Sequence, residues 1–152
     1  MNPTNDASRF PDPTAADLRA VAAFKEALSR PDLLVGTWHG GVPEHEGGPI
    51  QWPWVQYGSV VSEWVDALYE HHVVVDYGEP GWDERMQAFA TDPTRMQAAD
   101  LLTVRKVLTT VVRRERFCDG SIQSAFGTGL VQAAMLRLRE LADALRDGEA
   151  IA

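Results

Sequence analysis

Cysteine is almost missing from this chain: Cys118 is the single one in 152 residues. That excludes an intramolecular disulfide and makes a reducing compartment, the cytoplasm, the expected setting. No apolar run approaches the roughly 18 residues that a membrane span needs. No charged segment followed by an apolar one opens the chain either, so neither a secretory leader nor a membrane partner is expected. Lysine and arginine are outnumbered, 14 against 22 Asp and Glu, for a net charge of −8. Phosphate-rich surfaces would repel such a chain, and no nucleic-acid partner is expected.

Catalytic signatures are scarce as well. The chain holds no Cys-x-x-Cys, no His-Glu-x-x-His and no Gly-x-Ser-x-Gly. His39, Glu44, His45 and Glu46 share one loop, and His71-His72 ends a helix, but neither group has zinc-ligand spacing. The glycines between Gly36 and Gly48 lack the Gly-Lys-Ser/Thr ending of a phosphate-cradling loop. No metal and no cofactor is therefore implied. Cys118 has arginine neighbours that would lower a thiol pKa, yet no base stands beside it in the sequence. The expectation is a non-enzymatic protein.

What the chain does have is 45% hydrophobic residues, enough to build one core without metal or disulfide support. The Asn-, Pro- and Asp-rich segment 1–13 reads as a flexible tail, and 14–148 as a single helical domain. The fold class is mainly α, with about six helices and a minor two-stranded β element.

Helical spacing organises most of this domain. Thr14 can cap a first helix running to Ser29, with Leu18, Val21, Phe24 and Leu28 on one side and Arg30-Pro31 ending it. Residues 33–53 read as a long irregular loop. Ser59 to Glu70 carries Val61, Trp64, Val65 and Leu68 at helical spacing. The β-branched run Val73 to Tyr77 reads as a strand that pairs with Gln51 to Tyr57. Trp82, Met86, Phe89 and Ala90 stripe a short helix, and Asp92-Pro93 starts another. Asp100 caps the next. From Ser121 to about Arg146 the chain reads as helical, split at Gly127 and Gly129 with Thr128 as a cap. There, Val131, Ala134, Leu138, Leu141 and Leu145 form a seam that needs a packing partner.

The helix after Asp100 holds a contradiction. At about 100° per residue, Leu101, Val104, Val107, Leu108, Val111 and Val112 share one side, while Lys106, Thr109, Arg113 and Arg116 share the other. Continued regularly, the helix would bury Glu115 and expose Phe117, both unfavourable. Either the helix loosens near Arg114, or its basic face is covered and its arginines meet carboxylates.

Leu108-Thr109-Thr110, Arg113, Arg116-Phe117-Cys118 and Gly120 form the pattern L-T-T-x-V-R-x-x-R-F-C-x-G. It resembles the motif of a bacterial family known only as a domain of unknown function. Asp100-Leu101, Trp54, Tyr57, Trp64, Leu68, Tyr69 and Trp82 are also similar to that family's pattern. The resemblance runs over roughly Trp52 to Leu138 and implies no reaction, ligand or catalytic residue.

Two kinds of binding remain open. The segment Ile50 to Tyr57, or the C-terminal seam, would suit a protein partner or self-association, possible dimer included. Alternatively, the chain is a small enzyme or sensor that takes an anionic small molecule in a pocket of Arg113, Arg116, Trp54, Tyr57 and Trp82.

Overall fold

A computed structural model describes residues 10–43, 45–76, 78–116 and 120–145. Among these, seven α-helices, one 3₁₀ turn and one two-stranded sheet occur in the order α1 (Ala15–Ala22), α2 (Lys25–Leu28), β1 (Gly36–His39), β2 (Trp54–Tyr57), α3 (Ser59–Glu70), α4 (Trp82–Thr91), the 3₁₀ turn (Pro93–Ala98), α5 (Leu101–Arg114), α6 (Ser121–Gly127) and α7 (Leu130–Ala144). The chain is mainly helical with a minor β element, as the spacing indicates.

Helix starts follow the sequence closely. The Thr14 hydroxyl accepts from the Asp17 amide while the Asp17 carboxylate accepts from the Thr14 amide, a reciprocal cap. Asp92 caps the 3₁₀ turn with Pro93 behind it, and Asp100 accepts from the Thr103 amide at 2.8 Å. Two details differ. The first helix breaks at Ala23-Phe24 into α1 and α2. Thr128 does not cap α7: its hydroxyl donates back to the Ala125 carbonyl, and Gly129 in the left-handed region opens the helix instead.

α7 packs against α1, α2, α5, α6 and the 3₁₀ turn. Its seam of Val131, Ala134 and Leu138 is buried, with Leu141 and Leu145 half-buried at the edge of the core. The seam therefore closes the core. Trp64 lies fully inside, its indole N–H donating to Met135 Sδ at 3.3 Å and its ring edge-on to Phe126. An aromatic of that size buried in full contributes several kcal/mol, about 3–5 by truncation.

The strand pairing is a correction. β2 pairs antiparallel with β1, Gly36 opposite Tyr57 and His39 opposite Trp54. β1 lies inside the stretch 33–53 that the sequence marks as irregular. Its four residues carry too little patterning to register as a strand. Val73–Asp76 forms no strand; its backbone is held by side chains of α5. The loop between the strands turns on Gly40 and Gly41, both at positive φ, and a Cβ on Gly40 would lie 2.5 Å from the Trp52 carbonyl oxygen.

Candidate functional site

α5 is the axis of the molecule, and it is covered on nearly every side. Besides its valines and leucines, it buries Thr103, Arg105, Thr109 and Thr110. Arg105, Thr109 and Thr110 face the chain that follows α3, which runs along α5 as a strap and is fixed to it at successive points. Arg105, only 3% exposed, donates from Nε to the Val73 carbonyl and from Nη2 to the His72 and Pro11 carbonyls, and pairs with Asp12 at 3.1 Å. Burial pushes this guanidinium below its ordinary pKa, with Asp12 acting against that shift. His72 needs holding, because it sits at φ 60°, a strained region for a residue with a Cβ.

Thr109 and Thr110 use their hydroxyls twice each. Both donate to the carbonyl four residues back, at 2.7 Å. Both also accept from the strap: Thr109 from the Val75 amide and Thr110 from the Trp82 indole N–H. A neighbouring pair of threonines thus grips two points of one passing segment. Lys106 adds an ion pair to Glu79 at 2.9 Å, and Lys106 and Arg85 both lie against the Trp82 ring. The Lys106 hydrogen bond holds the Glu79 carboxyl below its usual range, with Lys106 and Arg85 charges adding to it. Trp82 is accordingly scaffold, in the core at the strap's end.

The contradiction at Glu115 resolves in a third way. α5 does end at Arg114. Glu115 then turns inward without meeting any described arginine. Its carboxylate accepts from the Gly120 and Ile122 amides, both at 2.9 Å, and from the Tyr57 hydroxyl at 2.8 Å. One residue past α5 therefore caps the start of α6 and ties β2 to both. Gly120, at φ 96°, has the Trp38 ring laid directly against it, where a Cβ would come within 2.6 Å of the indole. Phe117 and Cys118, the exposed aromatic and the thiol of the sequence argument, lie outside the described residues.

The five residues expected to share a pocket divide. Tyr57 and Arg116 line one groove of about 380 Å³, with Val61, Val65, Tyr69 and Val112 as its apolar wall. Arg113 lies elsewhere, its guanidinium 5.4 Å from the Phe10 ring centre. Of the expected tail 1–13, then, residues 1–9 lie outside the described residues, while Phe10 and Asp12 contact arginines of α5. Trp54 stacks on His39 on the outer face of the two strands. An arginine and a tryptophan do meet in a cavity, but they are Arg114 and Trp38, which the sequence argument did not select.

Of the nine large apolar side chains exposed among the described residues, six cluster in one place, while Tyr69, Leu102 and Leu136 lie elsewhere. Trp38, Val42, Ile50, Trp52 and Trp54 belong to the hairpin arm formed by β1, β2 and their loop, Leu34 lies just before it, and Trp52 is 90% exposed. The charge of the arm and α3 is one-sided. Residues 31–70 contain six Asp and Glu and no Lys or Arg. Glu79 on the strap pairs with Arg85 and Lys106, and Asp83 at the start of α4 pairs with Arg114. Asp32 ahead of the arm, Glu46 on it, and Glu63, Asp66 and Glu70 on α3 lie exposed. That charge gap is readable in the sequence, and it is the signal that would have singled out the arm.

No helix of the described residues is long and apolar enough to cross a membrane. Among families, the model of a family of unknown function, DUF6508, matches residues 13–144. No curated protein and no solved structure matches the chain.

Proposed function

The chain belongs to the DUF6508 family, and we propose that it is a non-enzymatic binding module whose hairpin arm docks a protein partner with an apolar, positively charged face. The observation that carries this reading is the concentration of exposed Ile50, Trp52, Trp54 and their neighbours on one short hairpin. Scattered single apolar residues are ordinary on a protein surface, whereas a cluster of this kind marks an interaction site. Tryptophans are the residues that carry most binding energy in protein interfaces. The helical core does not need them, since it is complete without the arm's tip.

Charge chooses the partner. With six acidic residues and no basic one over the arm and α3, residues 31–70, an acidic surface is repelled and a basic one is drawn in faster. A partner of that kind meets apolar contact at the tryptophans and carboxylates around them.

Two fluorescein-labelled amphipathic peptides test the reading, one built from Lys and Leu, the other from Glu and Leu. The Lys/Leu peptide is expected to bind at least tenfold more tightly, with affinity falling as salt rises. Equal binding of the two peptides, or a wild-type protein that occupies the arm by forming a dimer, would overturn it.

A further inference from the structure

We propose that the cavity between Trp38 and Arg114 is a binding site for a small, flat aromatic carboxylate. The cavity holds about 430 Å³ where α4, α5, α6 and the first residue of α7 converge beneath the arm. That is within the range of small-molecule sites. Its floor is core: Met86, Val111, Ala125 and Leu130 are all buried. Its wall is the half-exposed Trp38 indole, which reaches this position because Gly120 has no side chain to hold it off.

Recognition of an anion falls to Arg114. Its Nη2 pairs with Asp83 at 3.2 Å, but that carboxylate is 87% exposed. An exposed ion pair of this type contributes little, because water screens it and both side chains lose freedom. A ligand carboxylate held against an apolar wall competes with Asp83 on better terms, and the planar guanidinium suits it with two parallel hydrogen bonds. The Ser124 hydroxyl is exposed at the same cavity. The aromatic part of the ligand lies on the indole and the core floor, where offset stacking adds to burial. The site shares Trp38 with the arm but not Ile50, Trp52 or Trp54, so variants at those three and at Arg114 separate the two proposals.

Isothermal titration with 2-naphthoate, and with 2-naphthamide as its neutral counterpart, tests the assignment. Wild-type protein is expected to bind the acid at least tenfold more tightly than the amide. Asp83→Asn, a change at an exposed position, removes the competing carboxylate and is expected to tighten acid binding severalfold while leaving the amide unchanged. Arg114→Gln is expected to abolish the preference for the acid, and Trp38→Ala to weaken both ligands. Equal affinity for acid and amide, no binding of either, or an Asp83→Asn protein no better than wild type would each overturn the proposal.

Discussion

The strap and the hairpin arm are neighbours in sequence with opposite fates. The strap, leaving α3, gives its polar groups to α5: Arg105 takes two of its carbonyls, Thr109 one amide and Thr110 an indole N–H. The arm enters α3 with its tryptophans displayed and Glu46 exposed. Apolar β-rich sequence thus becomes scaffold where a polar helix face can saturate its backbone. Where only a second short strand is available, it becomes surface.

The strongest way to break this contrast is to loosen the strap. Arg105→Leu removes the donor to three carbonyls in a buried setting, where unpaired acceptors are costly. A loss of about 3 kcal/mol is expected by urea unfolding. If stability fell by less than about 1 kcal/mol, the strap would be held by apolar contact alone.

Arg105 also shows what the sequence concealed. The helical repeat located α3, α4, α5 and the break at Gly127 and Gly129, because those depend on local spacing and caps. It left open whether the polar side of α5 is covered, since threonines and an arginine count as polar whether water or a passing segment satisfies them. The pairing of β1 with β2 was hidden for a related reason: four-residue strands pair through tertiary context. Of the expected pocket, Tyr57 and Arg116 share a groove. The Trp38 cavity is not legible in the sequence because folding brings β1, α4 and the stretch 111–130 together from separate parts of the chain.

A smaller effect belongs to the joint between arm and body. Glu115→Ala deletes an acceptor that serves the Gly120 and Ile122 amides and the Tyr57 hydroxyl, and about 2 kcal/mol of stability is expected to go with it. Glu115→Gln keeps an acceptor oxygen and should recover roughly half of that. If both variants cost the same, charge rather than hydrogen bonding holds the joint.

Smaller still is the contribution of acid. Burial pushes the Asp17 carboxyl up, but the Thr14 amide, His71 at 3.1 Å and the Thr14 hydroxyl outweigh it, and the net pKa lies below the ordinary value. A carboxyl depressed by folding stabilises the protein above its unfolded pKa and loses that contribution as pH falls through the folded one. Stability should therefore decline below about pH 4, and Asp17→Asn should flatten that part of the profile. An Asp17→Asn protein with the same acid slope as wild type would refute the cap's role.

The arm carries the central claim, that its apolar residues serve a partner and not the fold. Pairing Ile50→Ser with Trp52→Ser in one protein tests it, with melting temperature and Lys/Leu peptide affinity measured on the same sample. The expected result is unfolding free energy within about 0.5 kcal/mol of wild type and peptide affinity at least tenfold weaker. A protein that melts far earlier, or one that binds the peptide as well as wild type does, would contradict the account.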